Sequence, residues 1–158
     1  MSHLSRPVSA VAALLLLATS FLVSSTAFSS PASADPENPD AEAIRQVITS
    51  AYVEGLHMNG SREAIRAGFH PDFVMKVMAD DGITDVTIEE WIARLPEEGT
   101  APGHAVGHEI PDVSVSGIAA TARVEILFDD RHVFTDYMSL YKFGDDWRIV
   151  AKIFNREN

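Results

Sequence analysis

The chain has 158 residues, with 12 Lys+Arg against 23 Asp+Glu, a formal net charge of −11 and no cysteine. That length suits one domain, and the missing cysteines exclude disulfides, thiolate metal sites, a Cys nucleophile and a lipidated N-terminal Cys. Scattered cations under an excess of acids also exclude a phosphate-reading surface, so neither nucleic acid nor an anionic membrane is an expected partner.

Residues 1–34 read as a secretory signal peptide: Arg6 precedes the unbroken apolar run Ala10 to Ala18, and a stretch rich in Ser, Ala and Pro follows. Ala32 and Ala34 around Ser33 fit the small-residue rule for signal peptidase, which places cleavage after Ala34 and predicts a secreted or periplasmic protein. The span Val8 to Val23 has 16 residues, short of the roughly 20 that cross a bilayer. No membrane association is therefore expected after cleavage. The remaining 124 residues lose only Arg6 among their charges, carry a net charge of −12, and are enough to bury a core without metal or disulfide.

Residues 35–40 hold two prolines and three acids and read as a short disordered lead-in, with Pro39 or Asp40 able to open a helix. Ile44, Val47, Ile48, Ala51, Tyr52 and Leu56 then recur at three- and four-residue steps. This predicts an amphipathic helix from Ala41 to about Met58, stopped by Asn59-Gly60. Ser61 can cap a second helix running to Ala67, with Ile65 inward and Gly68 ending it. His70-Pro71-Asp72 reads as a turn, Phe73 to Met78 as a strand, and Ile83 to Val86 as its partner across Asp80-Asp81-Gly82. Thr87 and Glu90 have capping-box spacing, so a third helix follows, burying Ile88, Trp91, Ile92 and Leu95.

After the loop Pro96 to Gly103 the pattern turns to strands: His108 to Ser116, Ile118 to Phe128, His132 to Phe143 and Trp147 to Arg156, with turns at Ser116-Gly117 and Gly144-Asp145. Helices first and strands after predict an α+β fold, three N-terminal helices packed on a curved antiparallel sheet, in a single domain over 41–156.

A two-residue turn at Gly144-Asp145 sets Leu140 opposite Ile149, Met138 opposite Ala151 and Asp136 opposite Ile153. One face then carries Phe134, Asp136, Met138 and Leu140 with Trp147, Ile149, Ala151 and Ile153. The other carries Tyr137, Tyr141, Lys152 and Phe154 among polar residues, as a solvated surface or a dimer contact does. Ile118, Ala120, Ala122, Val124, Ile126 and Phe128 join the apolar face if the next connection is an odd loop such as Asp129-Asp130-Arg131. A two-residue turn there would instead bring Arg123 beside Asp136.

Asp136 is the one acid in that apolar stripe, so it is hydrogen-bonded, paired or protonated. It can be a general base in a pocket, or a structural acid bonded to backbone N–H groups or to Tyr52. His70 can project into a cavity or cap the preceding helix, and His57 has the same structural reading at the end of the first helix. His104 and His108 lie four apart in a loop and a strand, where that spacing does not share a face, so no metal site is expected. There is no Gly-x-Ser-x-Gly elbow or Gly-rich phosphate loop, and no residue cluster indicates a cofactor. Trp91, Phe134 and the other aromatics suit either core packing or a ligand cavity.

Three stretches resemble a known family: Tyr52-Val-Glu-Gly-Leu-His57, Phe69-His-Pro-Asp72, and Phe134-Thr-Asp-Tyr-Met-Ser-Leu-Tyr-Lys142 running into Trp147-Arg-Ile-Val-Ala-Lys-Ile-Phe154. With the element order, they make Ala41 to Phe154 similar to the putative lumazine-binding family of the nuclear transport factor 2-like (SnoaL-like) superfamily. The resemblance implies a cone-shaped α+β domain in a superfamily that includes isomerases and cyclases with an acid in the cone, beside catalytically silent binding and dimerisation domains. It aligns Asp136, His70 and Lys152 with the Asp, His and Lys of the family's motifs.

Three functions are compatible with these readings. One is binding of a small apolar molecule in the cone, lined by Tyr52, His70, Trp91, Phe134 and Asp136. Another is an isomerase, dehydratase or cyclase in which Asp136 abstracts a proton while His70 or Tyr52 steadies the oxyanion. The last is a structural homodimer joined through the outer sheet face at Tyr137, Tyr141, Lys152 and Phe154. The fold alone does not choose among them.

Overall fold

The computed structural model describes residues 38–157, so the expected signal peptide, its cleavage site and residues 35–37 lie outside the described residues. Asn38 caps the first helix by accepting from the Asp40 N–H, with Pro39 in the first turn. Pro39 and Asp40 thus belong to α1 (Pro39–Val47) rather than to a lead-in. Asp40 Oδ1 accepts from Lys142 Nζ at 2.7 Å and from Trp147 Nε1 at 3.0 Å, which ties the start of the helix to the last hairpin.

The helix then widens. Ile48–His57 is π-helical, and the Met58 N–H donates to the Val53 carbonyl five residues back. Asn59 follows at φ 54°, a left-handed conformation that its short amide side chain tolerates. Its Nδ2 donates to the Glu97 and Thr100 carbonyls at 2.6 and 3.0 Å, so the residue that ends the helix also holds down the 93–105 loop. Ser61 caps α2 (Arg62–Gly68), and both halves of the Thr87/Glu90 capping box form at the start of α3 (Ile88–Ile92). A Cβ on Gly68 would run into the Ala51 Cβ and sit 3.3 Å from Val47 Cγ1, so α2 docks at close range on the first helix.

Six strands form one sheet: β1 (Phe69–Ala79), β2 (Gly82–Thr87), β3 (Val106–Ser116), β4 (Ala119–Phe128), β5 (Arg131–Phe143) and β6 (Asp146–Arg156), in the order β2-β1-β6-β5-β4-β3. Neighbours are antiparallel except β1 and β6, which run parallel, so the sheet is mixed rather than wholly antiparallel. These two strands are distant in sequence, and no hairpin constrains their direction. His70-Pro71-Asp72, expected as a turn, lies inside β1 where the pairing with β6 is interrupted between Phe69 and Val74.

Two bulges decide which side chains face inward. Leu140 pairs with Ile149 as the Gly144-Asp145 turn predicts, but Ser139 pairs with Ala151, leaving Val150 as an extra residue in β6. Beyond it the alternation inverts: Met138 stands opposite Lys152 and Asp136 opposite Phe154. Lys152 is therefore buried, while Ile153, expected inside, is 55% exposed. In the other hairpin Asp129 and Asp130, at φ 50° and 62°, make a two-residue turn, and Val133 is the extra residue in β5. That bulge undoes what the short turn would otherwise cause, so Val124 stands opposite Asp136 and Arg123 opposite Tyr137.

Val124, Ile126, Met138, Leu140, Trp147 and Ile149 from the sheet join Ile44, Ile48, Ala51 and Tyr52 from the first helix in one core. Among the described residues no helix is long and apolar enough to cross a membrane.

Candidate functional site

Tyr52 from the π-helical segment, Asp136 from β5 and Lys152 from β6 meet inside the domain, and all three are buried. Tyr52 OH donates to Asp136 Oδ2 at 2.5 Å, Lys152 Nζ donates to Tyr52 OH at 2.7 Å, and the same Nζ lies 2.5 Å from Asp136 Oδ1. Mutual neutralisation of the ammonium and the carboxylate allows both to leave water. Burial and the adjacent Asp136 charge hold the Tyr52 phenol well above its ordinary range, so it is a neutral donor. Burial pulls the Lys152 ammonium down, and the contact with Asp136 pulls it back up without fully compensating.

Lys152 also borders a cavity of about 140 Å³ walled by Tyr52, His57, Met75, Trp91, Phe134 and Phe154. Its Nζ lies 4.8 Å from the Tyr52 ring centroid, 5.2 Å from that of Trp91 and 4.8 Å from that of Phe154, a cation within an aromatic cage. The His57 ring meets Tyr52 edge-on at 4.7 Å and has Phe128 and Phe134 at 5.8 and 6.4 Å. Its buried Nε2 has no hydrogen-bond partner among the described residues. Burial, helped by the Lys152 charge and by His104, pushes the imidazole down to about 3, so His57 is neutral at ordinary pH.

The π-helical winding is what brings Tyr52 and His57 together. On an α-helix, at about 100° per residue, side chains five apart point roughly 140° away from each other. A turn closed by i→i+5 bonds places them on nearly the same face.

Of the residues singled out from the sequence, Tyr52, Trp91 and Phe134 line the cavity, and Asp136 stands behind Tyr52 and Lys152 without lining it. Oδ2 accepts from Tyr52 OH, whereas Oδ1 meets Lys152 Nζ as an ion pair and has no hydrogen-bond partner among the described residues, so Asp136 orients its two partners. His70 lies elsewhere: it stacks on Phe143 with centroids 4.7 Å apart, and its Nδ1 accepts from the Asp72 N–H at 3.1 Å. The cause is that β1 has already begun at Phe69, which points inward and turns its neighbour to the other side. Lys152 and Phe154, expected on the outer face, line the cavity because of the Val150 bulge. His57, read only as a helix cap, lines it because of the π turn. Among the described residues no three His, Asp or Glu side chains are grouped to hold a metal ion.

Residues 39–155 match the family described as putative lumazine-binding. The chain belongs to that family. Among solved structures it is similar to an NTF2-like protein of unknown function from Shewanella baltica, with 23% identity and a TM-score of 0.59 over 75% of this chain and 94% of that one. A second such protein, from Silicibacter pomeroyi, has 21% identity and a TM-score of 0.61 over 73% and 94% of the two chains. A cystatin-like domain of unknown function from Nostoc punctiforme has 16% identity and a TM-score of 0.54 over 77% and 80%. These likenesses establish the NTF2-like α+β fold for this family member. No functionally curated protein matches the chain.

Proposed function

We propose that the domain binds a small, largely apolar molecule in the 140 Å³ cavity, with Lys152 as the polar group that grips it. The observation that carries this reading is the lysine itself. Its ammonium donates to Tyr52 OH and pairs with Asp136 Oδ1, and the side chain borders the cavity. A trio retained only for stability could be replaced by apolar residues of equal size at little loss, because desolvation roughly cancels the attraction within a buried ion pair. An apolar cavity of about 150 Å³ accepts benzene, so this one suits a ligand of about one six-membered ring. The family's lumazine-binding description points the same way, to a small-molecule ligand. Proton abstraction by Asp136 is the less favoured reading, since its oxygens face Tyr52 and Lys152 instead of the cavity.

A screen of single-ring fragments, followed through the Trp91 indole resonance by NMR, tests the proposal; Trp147→Phe assigns the signal. Fragments that shift Trp91 in the native protein and fail to do so in a folded Lys152→Met variant are the expected result. No binding fragment, or equal binding to both proteins, refutes it.

Self-association through the outer sheet face is favoured by a separate observation, the half-exposed Tyr137, which pairs with the exposed Ile153, and the half-exposed Tyr141 farther along β5. Light scattering should give a dimer mass that Tyr137→Glu lowers to that of a monomer. Export is proposed on the signal-like residues 1–34, and N-terminal sequencing of the secreted or periplasmic protein should begin at Asp35.

A further inference from the structure

The cavity of about 140 Å³ has a solvent side, and a cation stands on it. Tyr52 and Met75 are buried behind the cavity, whereas its walls Trp91, Phe134 and Phe154 are only partly buried and meet solvent. Along β6, Lys152 and Phe154 face inward and Ile153 outward, and Arg156 is the next residue of the inward row, opposite Phe134 in register. Its guanidinium carbon lies 5.4 Å from the Phe134 ring centroid. Arg156 is itself exposed, so a planar cation rests on a cavity wall where that wall reaches water.

No acid of the protein claims this cation: among the described residues Arg156 belongs to no ion pair. Glu157 serves the other face, where its Oε1 accepts from Thr135 Oγ1 at 2.8 Å and from Asn155 Nδ2 at 2.9 Å. Beside Trp91 on α3, Glu89 pairs with Arg66 at 3.0 Å and Glu90 closes the capping box with Thr87. Other groups near these rings that can carry positive charge are Lys152, paired with Asp136, His104, whose ring lies 3.9 Å from that of Phe128, and Arg131, opposite Phe128 in register. His57 is held neutral by burial.

A guanidinium stacked on a ring keeps its N–H edges free for a planar, bidentate partner, and the ring fixes its position in advance. A carboxylate is that partner. At the rim its charge stays within reach of water, whereas inside the aromatic walls it would lose its solvent and find Lys152 already matched by Asp136. Building on the ligand-binding reading above, we infer that the ligand is an arylalkanoate: one aromatic ring fills the cavity, and a short saturated chain carries a carboxylate out to Arg156. The cavity then selects the ring, and Arg156 selects the acid.

The test titrates the protein with benzoate, phenylacetate, 3-phenylpropanoate and 4-phenylbutanoate, each beside the neutral alcohol of the same length, read through the Trp91 indole resonance. One of the three longer acids should bind about fivefold more tightly than its alcohol, the gain of a well-formed ion pair at a wet rim. High salt should shrink that advantage. Benzoate should not bind at the concentration where the best acid saturates. Arg156→Gln, a change at an exposed side chain, should leave the alcohols binding as before and abolish the advantage of the acid; Arg156→Lys should keep part of it. His104→Gln and Arg131→Gln should keep all of it. If the alcohols bind but no acid exceeds its alcohol, or the advantage survives Arg156→Gln or vanishes in His104→Gln or Arg131→Gln, the role given to Arg156 is overturned. Benzoate binding as tight as that of the best acid overturns the placing of the carboxylate at the mouth. If acids and alcohols alike fail to shift Trp91, or the alcohols bind Lys152→Met unchanged, the ligand-binding reading falls and this inference with it.

Discussion

Lys152→Met keeps the apolar stem of the side chain and removes the ammonium that lies 2.5 Å from Asp136 Oδ1. Two unit charges at that separation attract by about 7 kcal/mol at an effective dielectric of 20, while burying each ion costs several kcal/mol. The intact pair therefore contributes little net stability. Breaking it is another matter, because Asp136 is 0% exposed and, among the described residues, keeps only the Tyr52 hydroxyl. The expected loss is about 3–5 kcal/mol, a large share of the roughly 5–15 kcal/mol that holds a domain folded. Lys152→Met/Asp136→Leu/Tyr52→Phe leaves no member of the trio unpaired and should return to within about 2 kcal/mol of the native protein. Urea unfolding at pH 7, followed by tryptophan fluorescence with midpoints compared at constant m, measures both. A loss below about 1 kcal/mol in Lys152→Met, or a triple variant no more stable than the single one, would refute the reasoning.

Acid should act through His57. Its imidazole titrates at about 3 in the fold against 6.5 ordinarily, so between those values the unfolded chain holds a proton that the folded one lacks. Stability is then full above about pH 6.5 and falls as pH drops toward 3, by up to about 5 kcal/mol. His57→Phe should flatten that part of the profile, and an unchanged slope of urea midpoints between pH 6.5 and 4 would count against it. Gly68→Ala drives a methyl group against Ala51 and Val47, and thermal unfolding should show a loss of about 1–3 kcal/mol; native stability would mean that the two helices separate freely. Asn59→Ala removes both amide bonds to the 93–105 loop. Loop amides should exchange faster at a loss of about 2 kcal/mol, and unchanged protection would show that the loop is held by other contacts.

Local rules made much of this protein legible in its sequence. The Thr87/Glu90 capping box, the start of the strands after the 93–105 loop, and the pairing of Leu140 with Ile149 depend on residues near one another, whose geometry the chain carries with it. Asp136 stood out because an acid in an apolar stripe must be satisfied, and Tyr52 was one of the partners the pattern allowed. Lys152 and His57 could not be read the same way. Strand periodicity has no mark for one unpaired residue, and Val150 is as apolar as a regular strand position, so the alternation reads on past it unbroken. Helical periodicity likewise shows whether a helix forms more clearly than whether it winds by four residues or five. The sequence by itself determined the elements, their order and the buried acid; the tertiary structure alone decided where β6 slips and the helix widens. Those slips are set by packing between strands and helix distant in the chain, which is why the cation and the imidazole appear at the cavity only once the domain has closed around them.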